Sequence, residues 1–224
     1  FYMDGLSASM GRRQGMWLYE KRLEYPINIT QPNAKMASFI ISQYGGPDGE
    51  MGASMRYLSQ RYSMENRKVA GLLTDIGTEE LAHLEMVATI VRQLTKGLSA
   101  KELEDAGFAP YYIDHTAAVW PQAAGGIPFN ACEFQSKGDT ITDLFEDMAA
   151  EQKARTTYDN ILRLVKDQEV ADPIRFLRER EIVHFQRFGE GLRMICDELD
   201  SKNYYMCNPQ FDKGCGNKGN CNCG

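Results

Sequence analysis

The chain has 224 residues, 43% of them hydrophobic, with 25 Lys and Arg against 31 Asp and Glu for a net charge of −6. This is the composition of one globular domain with core enough to fold alone, and the acidic balance argues against a nucleic acid or an anionic membrane surface as partner. No run approaches the roughly 18 apolar residues of a membrane-spanning helix, and no apolar stretch follows Arg12 and Arg13, so no signal peptide and synthesis in the cytosol are expected.

In chain order, residues 1–15 are patternless and read as a leader before Met16, a folded domain is expected over 16–200, and a flexible tail over 201–224. After Pro32, residues from Ala34 to about Tyr62 place Met36, Phe39, Ile40, Met51, Met55 and Leu58 at helical intervals, interrupted by Gly45-Gly46-Pro47-Asp48-Gly49. The pattern predicts a short helix, a bend and a second helical piece. A long helix follows from Glu65 to Leu94, stopped by Gly97.

Leu98 to Gly138 carries Pro110, Pro121, Pro128 and Gly125-Gly126 among scattered aromatics. It reads as a long connection, with a short extended piece over Val119 to Phe129. A loop of this length needs a reason, such as a crossover between distant helices or an oligomer contact. Its aromatics, Phe108, Tyr111, Tyr112, Trp120 and Phe129, point to a subunit contact, and a surface or interface role is expected for His115. Helix resumes after the cap Asp139 to about Lys166, and again after Asp172-Pro173 to about Leu199. Two helical hairpins joined by a long crossover is the connectivity of an all-α, ferritin-like four-helix bundle.

Two of the three histidines sit in one local pattern, Glu80-Leu-Ala-His83 and Glu181-Ile-Val-His184. Glu and His three apart share a helical face and can clamp one ion between them. Each motif lies thirty residues after another Glu, Glu50 or Glu151, and the two halves are offset by 101 residues throughout. At about 1.5 Å rise per residue, roughly thirty residues carry a chain from the middle of one helix to the level point on its antiparallel neighbour.

Packing the hairpins therefore brings four carboxylates and two imidazoles to one depth of the bundle. Leu81, Leu84, Met86, Ile182, Val183 and Phe185 surround them in sequence. Uncompensated buried charges cost several kcal/mol each, so two divalent cations are expected. This donor set suits iron or manganese better than zinc, copper, calcium or magnesium, without separating the first two.

At this point the residues resemble a family. Gln43-Tyr-Gly-Gly-Pro-Asp-Gly-Glu50, Met55-Arg-Tyr-Leu-Ser-Gln60, Leu73-Thr-Asp-Ile-Gly-Thr-Glu-Glu-Leu-Ala-His-Leu-Glu-Met86 and Arg178-Glu-Arg-Glu-Ile-Val-His184 resemble the manganese catalases, nearest to their spore-coat branch, over roughly Met16 to Leu199. The resemblance implies manganese ligands at Glu50, Glu80, His83, Glu151 and His184, with Glu80 bridging. It makes Glu181 an outer-sphere acid/base, and Tyr57, otherwise a half-buried aromatic, a phenol hydrogen-bonded to the cluster carboxylates. It also implies disproportionation of hydrogen peroxide, two manganese ions per chain, a homo-oligomer (a hexamer in related enzymes), and a place in the spore coat among other coat proteins after synthesis in the mother-cell cytoplasm.

Two features depart from the resemblance. Active members often carry a basic side chain just before the fourth ligand or two turns beyond it, where this chain has Ala150 and Tyr158, with Arg155 the nearest substitute. Four of the six cysteines, Cys207, Cys215, Cys221 and Cys223, crowd the last eighteen residues. Their spacing fits no common zinc module, and cross-linking into a coat layer is the expected use. Three readings stay open from the sequence: a manganese catalase, a di-iron peroxidase or oxidase, and a structural coat component whose metal site holds the bundle together.

Overall fold

The computed structural model describes residues 22–116 and 118–199; the leader over 1–15 and the cysteine tail lie outside them. Within these residues the chain is helical, with one isolated β-bridge between Gln122 and Pro128. That bridge falls inside the segment expected to be extended.

The first line of helix comes in three pieces, α1 (Ala34–Ile40), α2 (Ser42–Gly45) and α3 (Glu50–Gln60), and α4 (Arg67–Thr95) returns antiparallel beside them. Asn33 caps α1 and Asn66 caps α4, each side chain accepting a backbone N–H of the first turn. The break between α2 and α3 follows from Gly45-Gly46-Pro47, and Gly45 has a packing reason as well. A Cβ there would lie 2.4 Å from the backbone of Pro121 and Gln122, so glycine lets the crossover press against the break.

The connection holds two short helices that the sequence pattern does not separate, α5 (Ala100–Asp105), with a Ser99–Glu102 capping box, and α6 (Ala109–His115). Two of the five aromatics expected at a subunit contact lie in the core and not on a surface. Phe108 and Tyr111 are buried in this chain's own core, and the Tyr111 hydroxyl donates to the Ala118 carbonyl while accepting the Trp120 N–H. His115 stacks on Trp120 at 4.7 Å. Folding the connection back on itself satisfies these polar groups locally; Tyr112 and Trp120 stay partly exposed.

The second hairpin is α7 (Thr140–Leu164), capped by Asp139, and α8 (Gln168–Glu198), capped by Asp167. The last helix thus begins before Pro173, contrary to the expectation that it follows Asp172-Pro173. Pro173 removes one backbone donor and crowds the carbonyl four residues back, but the turn ahead of it is anchored. Val170 and Ala171 enter the core, and Glu169 accepts from the Thr30 N–H and hydroxyl at 2.7 and 2.8 Å.

The apolar core comes in two parts. Ile40, Ile90, Leu94, Ile174 and Leu177 belong to one; Leu73, Ile76, Leu144 and Phe188 belong to the other. Along α4, α7 and α8 a layer of Glu and His separates them, so each long helix changes from apolar to polar to apolar on a single inward face.

Candidate metal centre

Glu50, the first residue of α3, Glu80 and His83 of α4, Glu151 of α7, and Glu181 and His184 of α8 meet in that layer, none more than 2% exposed. Their ligand atoms fall into two groups within 4.8 Å of one another: Glu50, Glu80, His83 and Glu181 in one, Glu80, Glu151 and His184 in the other. Glu80 is common to both. Its Oε2 lies 2.7 Å from His83 Nδ1 and its Oε1 lies 2.8 Å from His184 Nδ1, and the two rings stack with centroids 5.6 Å apart.

The surrounding apolar shell differs from the one read off the sequence. Leu81 and Ile182 are on the outer face, because a residue next to an inward-facing one is turned about 100° around the helix. The buried residues one turn away along α4 and α8 are Met86, Leu177 and Phe188, and two buried tyrosines adjoin the layer. Tyr57 donates its hydroxyl proton to Glu151 Oε1, and Tyr158 donates to Glu50 Oε1. Arg155 does not substitute for the missing basic group: it lies along its own helix, bonded to Gln152 and Asp159 at 2.9 and 2.7 Å.

The outer nitrogens of both rings face a residue that the motif reading passed over. Glu79 Oε1 is 3.6 Å from His83 Nε2 and Glu79 Oε2 is 3.3 Å from His184 Nε2, while Arg180 Nε donates to the same carboxylate at 2.5 Å. Glu24 adds a carboxylate 3.4 Å from His83 Nε2. A carboxylate behind a ligating imidazole fixes the ring and raises its basicity, and here one carboxylate serves two rings. The signal was present in the sequence: Arg180 follows Glu79, and Tyr158 follows Tyr57, by the same 101 residues that relate the motifs.

Burial and the charges within the layer set its electrostatics. Burial and then the Glu80 charge push the Glu50 carboxyl well up; burial followed by Glu50, Glu151 and Glu80 does the same to Glu181. Burial works against a charge on Glu80 as well, but the imidazoles of His184 and His83 outweigh it and hold that carboxyl low. For His184 burial opposes protonation, yet Glu80, Glu151 and Glu79 push it up to about 12. Four buried carboxylates thus face two imidazoles, and the shifts at Glu50, Glu181 and His184 run in the direction that favours added positive charge in the layer.

Two divalent cations would supply that charge to four carboxylates. The donor atoms fit them: Glu80 Oε1, Glu151 Oε2, Glu181 Oε1 and His184 Nδ1 are buried without an aligned hydrogen-bond partner among the described residues. Buried donor atoms that converge on one layer and leave several lone pairs without an aligned donor are the arrangement a metal ion satisfies.

A second buried polar group adjoins the first. Arg56, 1% exposed, donates Nε to Glu146 at 3.0 Å, with Asp147 fully buried nearby and Phe134 under the guanidinium at 5.8 Å. Burial pushes the Asp147 carboxyl well up, against the opposing pull of Gln60 and Arg56. Nothing in the motif spacing marks this cluster.

Comparison with known proteins agrees with the geometry. The family model described as manganese containing catalase matches residues 16–210. Protein CotJC of Bacillus subtilis (strain 168) is 50% identical over 190 residues, covering 85% of this chain and 100% of that protein. A probable manganese catalase of Clostridium acetobutylicum is 31% identical over 84% of this chain and 85% of its own length. Among solved structures, wild-type KatB, a manganese catalase from Anabaena, superposes with a TM-score of 0.75 at 29% identity, covering 80% of this chain and 81% of that one.

Proposed function

Because the chain belongs to the family of manganese containing catalases, we propose that its buried carboxylate and imidazole layer holds two manganese ions and that the protein converts two molecules of hydrogen peroxide to two of water and one of oxygen. The observation that carries this reading is the pair of donor groups sharing Glu80 in a layer closed off from water. Glu50 and His83 would hold one ion, Glu151 and His184 the other, and Glu80 both. A manganese pair held there would supply the two-electron redox chemistry of the disproportionation.

The rest is done by the chain. Glu79, anchored by Arg180, orients both imidazoles from outside. The two apolar cores exclude bulk water from the layer. Glu181 Oε1, buried and without a hydrogen-bond partner among the described residues, is the atom that accepts a proton from peroxide and returns it to the departing oxygen. Glu181→Gln is expected to keep both ions by elemental analysis and lose most of its oxygen release; loss of metal would instead make Glu181 a ligand, as in di-iron bundles.

By its resemblance to the coat branch, the protein belongs in the spore coat, assembled as an oligomer with other coat proteins, its tail cysteines serving as cross-links. One observation favours a second reading, a metal-stabilised coat scaffold of low activity. The positions where active members carry a basic group hold Ala150 and Tyr158, both buried, and Arg155 points elsewhere. Peroxide turnover by manganese-loaded and iron-loaded protein separates this from the catalase and from a di-iron peroxidase.

A further inference from the structure

Tyr57 lies seven residues after Glu50 on α3, and Tyr158 lies seven residues after Glu151 on α7. Both are fully buried. Two helical turns put each phenol on the same helical face as the carboxylate of its own helix, yet neither bonds that carboxylate. Tyr57 crosses to Glu151 and Tyr158 crosses to Glu50. This is the register of two antiparallel helices side by side, one index climbing by seven as the other falls by seven.

We propose that Tyr158 is a positioning residue for Glu50, the counterpart of Tyr57 at Glu151, so that each hairpin fixes the terminal carboxylate that the other offers to metal. The inference rests on the dimetal reading above. A phenol that donates to one carboxylate oxygen occupies it and turns the second toward the layer. At Glu151 this is visible: Oε1 takes the Tyr57 proton, while Oε2 faces the layer with no aligned hydrogen bond and lies 3.6 Å from His184 Nδ1.

Tyr158 therefore fills the place where the resembled enzymes carry a basic group with a neutral donor, and it adds no positive charge beside Glu50. The other polar groups that act on it are the buried, uncharged Gln43 amide and the Glu181 carboxyl, neither of which supplies a positive charge. Two crossed bonds also tie the hairpins together through the ligands themselves, so that neither terminal carboxylate is set by its own hairpin alone.

The test uses full-length protein and Tyr→Phe changes at 57 and 158, which keep the ring and remove only the hydroxyl. Helix content by circular dichroism should match wild type in both. Manganese affinity, measured by equilibrium dialysis with elemental analysis, should fall about 10- to 100-fold in each, with the double variant weaker than either. The electron paramagnetic resonance signal of the loaded pair should change in both single variants, a response that ring packing alone does not produce. Tyr158→Phe with wild-type affinity and an unchanged signal, beside a weakened Tyr57→Phe, would overturn the proposal and leave Tyr158 as a packing aromatic. Wild-type protein that takes up no manganese would overturn the dimetal reading, and the proposal with it.

Discussion

Glu50 opens an 11-residue helix, whereas Glu151, its counterpart 101 residues later, stands in the middle of a 25-residue helix. The first hairpin is broken at residues 46–49 and the second is continuous through the same depth, yet both deliver a carboxylate to the same layer. Helix continuity is thus not what sets the level. The antiparallel return fixes it, through the thirty residues between Glu50 and Glu80 and between Glu151 and Glu181. The break gives Glu50 something Glu151 lacks, a place at a helix N-terminus where the backbone dipole favours negative charge.

The hairpins also differ at matched positions, and those differences can be tested one pair at a time. Glu80 and Glu181 are counterparts, but only Glu80 belongs to both donor groups. Glu80→Ala should lose both metal ions by elemental analysis, whereas Glu181→Gln should keep them; equal loss in the two variants would erase the distinction. Glu79 and Arg180 are counterparts that pair with each other. Glu79→Gln should weaken metal binding about 10- to 100-fold at both ions together, because one carboxylate stands behind both rings. Weakening confined to one ion would show that the second imidazole is held by other means.

Asp147 has no counterpart side chain, since residue 46 is glycine. A carboxyl whose folded pKa is raised binds its proton more tightly in the native state, so its contribution is most favourable below the unfolded value near 4 and is lost as pH climbs through the folded value. Asp147→Asn should remove that loss, gaining on wild type by about 1 kcal/mol at pH 8, roughly 2–4 °C in Tm, and by less at pH 5. A gain that shrinks as pH rises would reverse the sign of the argument.

The smallest effect is at Gly77, where the counterpart is Arg178. A Cβ on Gly77 would meet Leu58 Cγ at 2.8 Å and Tyr57 Cβ at 3.2 Å. Overpacking costs about 1–3 kcal/mol and the helix gains about 1 from alanine, a net of roughly 0–2, so Gly77→Ala should lower Tm by no more than a few degrees in a thermal melt. A rise in Tm would mean that α3 and α4 have room to part.

What the sequence revealed followed from regular helix geometry. Glu-x-x-His on one face, the thirty-residue return and the 101-residue offset depend only on rise and periodicity, and the six groups they select lie together. What it hid depended on tertiary compensation. Pro173 reads as a start, but Asp167, Val170 and Glu169 hold the turn before it. Leu81 and Ile182 read as a shell because they adjoin ligands in sequence, when helical rotation sends them outward. Phe108 and Tyr111 read as a surface because nothing in the connection's pattern shows that it packs into the core. Arg56 and Asp147 belong to no repeat, and a buried charged pair leaves no periodic trace. Tyr158 and Arg180 were within reach: extending the 101-residue offset from the motifs to Tyr57 and Glu79 selects both.

The most direct test of the central claim is oxygen evolution from hydrogen peroxide by protein whose manganese content is measured in the same sample. Two manganese ions per chain and one oxygen released for every two peroxides consumed are expected, with both lost in Glu80→Ala. Protein that holds two manganese ions and releases no oxygen would contradict it and leave a metal-stabilised scaffold.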